Sequence, residues 1–231
     1  MASLRESVRT TVQSAAMSFL AGYVDTLGFV ALFGLFTAHV TGNFVLIGSE
    51  LAHPSHGVLI KFVAFPAFIL SVAFTRMAVV WLERAGKAPL PWLLALQLLF
   101  LLGFMGVGQH IAPVQDPQAA LTLLAGILGT AAMAVQNAAS RLVLTKHTPT
   151  TVMTGNVTQL VIDLVDILRG AADDVVRERC RKFFWPIVTF GVGAISGALA
   201  YHQVLFLALL LPAAILLALI VAEYSGGKLV E

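Results

Sequence analysis

The sequence predicts an all-α polytopic membrane protein, with six full transmembrane helices plus two re-entrant half-helices in an inverted 3+3 repeat, all within a single transmembrane domain over residues 1–231. Composition, an internal repeat and the placement of the basic residues lead to this expectation. Of 231 residues, 58% are apolar and 11% are charged, and the mean hydropathy is +0.90. Soluble domains carry about a quarter of charged residues. A hydrocarbon core about 30 Å thick takes roughly 20 apolar residues per helix, so about six to eight crossings with short loops use the whole chain. The net charge of +2 is too small to imply nucleic acid, and the basic residues flank apolar segments instead of forming a basic domain. The expected surroundings are the lipid bilayer.

The first apolar segment covers about 11–35, behind Arg5 and Arg9. It continues to Phe36 without a small-x-small cleavage site, which predicts an uncleaved helix and not a signal peptide. A short segment at about 41–52 follows, closed by Pro54 and His56. Longer segments come next at about 58–82, with Pro66, and at about 90–109, entered through the Arg84 to Pro91 turn. Beyond the Pro113 to Pro117 loop with Asp116 lie a long segment at about 118–140 and a second short one at about 154–168. The charged stretch Arg169 to Lys182 reads as a cytoplasmic interfacial helix or partner-binding stretch. Spans at about 183–201, with Pro186, and about 203–222 complete the chain. Pro66 and Pro186 predict kinks. Gly191, Gly193 and Gly197 form a small-residue face suited to close helix contact, within the chain or in a homodimer. The lone Cys180, in a charged loop, cannot form an intrachain disulfide and suits the cytoplasmic side.

The internal repeat rests on Thr37-Ala38-His39-Val40-Thr41-Gly42-Asn43-Phe44-Val45 and Thr150-Thr151-Val152-Met153-Thr154-Gly155-Asn156-Val157-Thr158, whose Thr-Gly-Asn triplets stand 113 residues apart. Lys61-Phe62 leads to Pro66 as Arg181-Lys182-Phe183 leads to Pro186. Two repeats, about 11–110 and 118–222, therefore share one plan: long helix, short segment, proline-bearing helix, final helix.

The positive-inside rule decides how the short segments sit. If both are re-entrant and the N-terminus is cytoplasmic, Arg5, Arg9, Arg76, Arg84, Lys87, Arg141, Lys146, Arg169, Arg177, Arg179, Arg181, Lys182 and Lys228 lie inside and only Lys61 outside, thirteen to one. If both cross, the count falls to nine against five. Three full spans per repeat give the halves opposite orientations and leave both termini cytoplasmic.

Irregular backbone survives at membrane depth only where protein or water satisfies its polar groups, so re-entrant segments imply a polar cavity. Threonine and asparagine accept from free backbone N–H groups at a helix start, and glycine lets another chain or a ligand approach closely. Two opposed helix starts would offer unsatisfied N–H donors and positive dipole ends to an anion, a carboxylate or a polar solute. Thr41, Gly42, Asn43, Thr154, Gly155 and Asn156 are thus candidate substrate-binding residues, together with Tyr23, Asp25, His39, Gln136 and Asn137; the alternative for the Thr-Gly-Asn residues is that they cap and glue the two halves. Asp25, beside Tyr23 in the first helix, is costly at membrane depth and predicts a proton-coupling site or a hydrogen-bonded anchor. Its counterpart in the second half falls at Gln136-Asn137, which are polar but do not titrate. His39 is placed to line the cavity or to pack. Glu50 and Asp163, also 113 residues apart, read as solvated or as gate ion pairs. No nucleophile elbow, paired cysteine, zinc signature or phosphate loop is present, which predicts neither an enzyme nor a metal or cofactor site.

Gly22-Tyr23-Val24-Asp25-Thr26, Thr37 to Asn43, Gln136-Asn137-Ala138 and Thr151 to Asn156, in this order, resemble the YoaK-like family of bacterial inner-membrane proteins over nearly the whole chain. The resemblance implies a bacterial inner-membrane location and supplies no substrate. The layout is also similar in idea to anion and nucleobase transporters whose half-helices meet at the midplane. The expected function is a secondary transporter of a small polar or anionic solute, with possible proton coupling at Asp25. The alternatives are a small-solute or ion channel, or a non-transporting scaffold or sensor.

Overall fold

A computed structural model describes residues 2–53, 57–145 and 147–227, with side chains from Val8 to Ser225. Pro54, His56, Lys146 and Lys228 lie outside the described residues, as does the side chain of Arg5. The described chain is all helical and contains no strand. Its helices are α1 (Ala2–Ala31), α2 (Val40–Ala52), α3 (Val58–Arg84), α4 (Pro89–Ile111), α5 (Ala120–Leu142), α6 (Met153–Leu168), α7 (Asp174–Val204) and α8 (Leu210–Gly227), with a 3-10 turn at Leu205–Leu209. Five segments are long and apolar enough to cross a bilayer: Val8–Ala31, Val58–Arg84, Pro89–Ile111, Ala120–Leu142 and Asp174–Ser225, the last holding both α7 and α8.

Local chemistry explains where the helices stop. α1 unwinds at Phe33 and Gly34, which have φ of +54° and +78°. Gly86 and Gly170 end their turns at φ of +67° and +70°, a conformation glycine adopts without steric penalty. Pro89 sits in the first turn of α4, where a missing N–H costs nothing. Asp173 caps α7 by accepting from the Val176 N–H at 2.8 Å. That cap starts α7 ahead of its apolar run, so Asp174 to Lys182 belongs to one continuous helix instead of forming a separate interfacial one. Cys180 accordingly lies buried in α7 and not in a loop.

α1 and α7 run parallel in close contact. A Cβ on Gly193 or Gly197 would overlap the carbonyl oxygen of Phe19 or Tyr23, and one on Gly22 that of Phe190. The predicted glycine face is therefore used inside the chain, while Gly191 faces open space. α5 runs antiparallel to α1: the Gln136 Nε2 donates to the Met17 carbonyl at 2.8 Å, and Gly126 lies against Leu35. α3 lies parallel to α5, with Ile60 beside Gly126 and Val79 clustered with Val135 and Ala139. α4 closes the bundle on α5 and α8. The core is filled by Met17, Leu20, Leu27, Leu32, Leu35, Phe104, Met133, Phe206 and Leu216.

Each short helix belongs to a hairpin of chain. Beyond α1 the backbone turns back until Ala38 and His39 meet Asp25, six residues or about 9 Å before the end of α1. α2 then returns to that end, where Glu50 pairs with Lys61 at 2.7 Å and the same ammonium donates to the Phe33 carbonyl at 2.6 Å. In the second half, Asn137 donates to Thr151 at 2.8 Å and Gln136 to Thr150 at 3.0 Å. α6 then runs on to place Asp163 against Arg179 of α7 at 2.6 Å.

Candidate functional site

Asp25 lies six residues before the end of α1, with only 3% of its surface exposed. Its Oδ1 accepts from the Ala38 N–H at 2.6 Å and from the Thr37 hydroxyl at 3.3 Å. Its Oδ2 lies 2.6 Å from His39 Nδ1. The carboxylate thus fixes the irregular approach to α2 and orients an imidazole at the helix start. His39 is the N-cap residue of α2 but makes no side-chain cap, so the donors of that first turn are not closed off by it.

A cavity of about 380 Å³ opens over this pair, lined by Asp25, Thr26, Phe36, His39, Thr41, Gly42 and Phe190. The Phe36 and Phe190 rings stand edge-on to His39, with centroids 6.0 and 5.6 Å away. With both carboxylate oxygens taken by N–H or O–H donors and by the imidazole, the surface left to a solute consists of hydroxyls, a ring nitrogen and a helix N-terminus between two aromatic walls. That set suits a small acceptor-rich or anionic group with an apolar body.

Of the residues expected to bind solute, Asp25, His39, Thr41 and Gly42 come together here. Asn43 is buried and turned toward its own chain, donating to the Phe36 carbonyl at 2.8 Å and accepting from the Phe36 N–H at 2.9 Å. Asn156 likewise donates to the Pro149 carbonyl at 2.7 Å. Tyr23 donates to the Ala208 carbonyl at 3.0 Å and faces the interior. Gln136 is fully buried between Gln97, Met17 and Thr150, and Asn137 serves Thr151. Thr154 and Gly155 are exposed at the start of α6.

The two Thr-Gly-Asn starts do not meet, and α2 and α6 make no contact among the described residues. α2 packs on α3 and α6 on α7, and the glycine-closed contact of α1 with α7 fills the interior. The cavity lined by Asp25 and His39 lies at the first start. Phe190, Thr26 and Phe36 were not singled out in the sequence. Phe190 carried no local signal, because only the pairing of α1 with α7 brings it to Asp25.

Charges outside the cavity pair at the far ends of the short helices. Lys61 is 1% exposed and Asp163 is fully buried, while Glu50 and Arg179 stay partly exposed, so each acid sits in an ion pair with one buried partner. Arg9 pairs with Glu223 at 2.7 Å at the far end of α1, near Gln13 and His147. His147 Nε2 lies 3.1 Å from Gln13 Oε1 in the loop between α5 and α6. Burial pushes this imidazole below its ordinary value, opposed by Glu223 and aided by Arg9.

An all-helical chain with five apolar, span-length segments and a buried carboxylate paired with an imidazole has the make-up of a helical membrane protein. The family model described as "Protein of unknown function (DUF1275)" matches residues 13–222, and the chain belongs to that family. The resemblance to YoaK-like proteins is consistent with this membership. No curated protein and no solved structure matches the chain.

Proposed function

We propose that the protein is a secondary transporter of a small polar or anionic solute in the bacterial inner membrane, with both termini cytoplasmic and Asp25 as the proton-coupling group. The observation that carries this reading is the 2.6 Å contact of Asp25 with His39 at the wall of a cavity beside a helix start. Ionisable groups inside a membrane domain are costly and mark pathways for ions and protons. A dyad sharing one proton can hold His39 cationic against an anion and release both together. Its proton and its solute then move as one load.

The membrane arrangement in this reading is six spans and two re-entrant segments in an inverted repeat. Support comes from helix directions: α1 and α5 run antiparallel, as halves of opposite orientation require, whereas eight full crossings would make them parallel. Further support comes from residues 113 apart that act alike, Asn43 with Asn156 and Glu50 with Asp163.

The test is a thermal-shift panel of small anions, carboxylates, nucleobases and sugars on purified protein at several pH values, with Asp25→Asn alongside. A ligand at a hundred times its dissociation constant adds about 2.7 kcal/mol. The expected result is a hit that depends on pH in the parent and loses that dependence in Asp25→Asn. Uptake of the hit in vesicles follows; uptake indifferent to a proton gradient and to Asp25→Asn removes the coupling, and flux that never saturates makes the protein a channel.

A further inference from the structure

We infer that a buried polar track along α1 passes protons between Asp25 and the Gln13–His147 cluster through Ser18 and Ser14. The inference rests on the reading of Asp25 as a proton site and adds its route. Ser14, Ser18, Ala21 and Asp25 fall within about 60° of arc on one helix face. Ser14 is 3% exposed and Ser18 fully buried, so this face points into the bundle.

The second observation is independent of that spacing. Among the described residues, four buried side-chain polar atoms lack a hydrogen-bond partner: Ser18 Oγ, Thr130 Oγ1, His147 Nδ1 and Glu50 Oε2. Two of them bear on this line: Ser18 is on it. His147 stands at the far end, where a polar cavity of about 250 Å³ is bordered by Arg9, Gln13, His147 and Glu223. Buried hydroxyls without protein partners are the ordinary sites of internal water.

The spacing suits proton hopping. Asp25 to Ser18 is a rise of about 10 Å and Ser18 to Ser14 about 6 Å, so the route needs about three water molecules in file past the fully buried Ala21 on the longer step. The Asp25–His39 dyad gives its shared proton to the first oxygen as each oxygen along the file passes one on. The last proton arrives at the free lone pair of His147 Nδ1, whose Nε2–H is donated to Gln13. One proton is moved and every hydroxyl on the route is restored. Arg9 and Glu223, paired at the mouth, leave it without net charge.

Single cysteines at Ser14, Ser18 and Leu20, in a Cys180→Ser background, test the track on the purified protein with silver ion, a water-sized thiolate reagent. Thiols left unreacted are alkylated after denaturation and counted by intact mass. Ser18 and Leu20 are equally buried, both fully, but Leu20 belongs to the apolar core. Reaction at Ser14→Cys and Ser18→Cys at least tenfold faster than at Leu20→Cys supports the track; equal rates at Ser18→Cys and Leu20→Cys overturn it. In vesicles with a pH-sensitive dye and a potassium–valinomycin driving force, proton flux lost in Asp25→Asn and lowered at least fivefold in Ser18→Val supports the route. Loss in Asp25→Asn with Ser18→Val unchanged overturns the route while leaving Asp25 as the proton site. Flux unchanged in both overturns the coupling reading and the route with it.

Discussion

Asn43 and Asn156 hold equivalent places but make unequal bonds, and the cause is a single residue in each approach. Asn43 both donates to and accepts from Phe36, whereas Pro149 has no N–H to offer Asn156. A net hydrogen bond in a folded protein contributes about 0.5–1.5 kcal/mol. Asn43→Ala is therefore expected to destabilise by about 1 kcal/mol more than Asn156→Ala in denaturant unfolding from detergent, and equal losses contradict this account. His147 carries a pH signature of opposite sign to most salt-bridged histidines. Its imidazole lies below the ordinary 6.5 because burial disfavours the cation. The folded state thus binds fewer protons than the unfolded chain, so this share of stability is full above about pH 6.5 and declines as pH falls toward the lower folded value. Melting temperature should drop less between pH 7.5 and 5 in His147→Gln than in the parent; a parallel drop removes His147 as the source.

At the scale of elements, the two halves of the chain are joined by close backbone approach of α1 to α7 as well as by side-chain bonds such as Gln136 to Met17 and Tyr23 to Ala208. Gly193 and Gly197 let α7 meet the carbonyls of Phe19 and Tyr23, where an added methyl finds backbone that does not yield. Gly193→Ala or Gly197→Ala should cost about 1–3 kcal/mol through overpacking. Gly191→Ala, facing open space, should be neutral or stabilising by up to about 1 kcal/mol through helix propensity. Equal effects at Gly191 and Gly193, read by thermal unfolding, would contradict the parallel contact. Helix limits were largely legible from hydropathy: about 41–52, 58–82, 90–109 and 154–168 became Val40–Ala52, Val58–Arg84, Pro89–Ile111 and Met153–Leu168. α1, α7 and α8 were the exceptions: about 11–35, 183–201 and 203–222 became Ala2–Ala31, Asp174–Val204 and Leu210–Gly227. The first turns of α7 are charged, and an apolar run starting at 183 cannot register a helix that begins at an Asp173 cap.

At the scale of the whole molecule, the helix directions make a definite prediction about the membrane. Ala52 ends α2 beside the close of α1, and Gly170 ends α6 toward the start of α7. With Cys180 replaced by Ser, a membrane-impermeant thiol reagent should reach Ala52→Cys only from outside and Gly170→Cys only from the cytoplasm. Labelling of both from one face sinks the inverted arrangement.

The sequence by itself determined that the chain is helical and apolar enough for a bilayer, that two short helices interrupt the long ones, and that Asp25 and His39 stand near the first of them. Those properties are local: hydropathy, helix caps and a motif spaced along one strand of chain. It also raised the 113-residue correspondence, because repeated residues can be counted without knowing where they fold. Only the tertiary structure decided that Asn43, Asn156, Tyr23 and Gln136 serve the scaffold, that Phe190 walls the cavity, and that the two Thr-Gly-Asn starts stay apart. The Phe190 wall follows from how closely α1 and α7 approach, a distance set by glycines more than 160 residues apart in the chain. No periodicity within either helix encodes which backbone the other will meet.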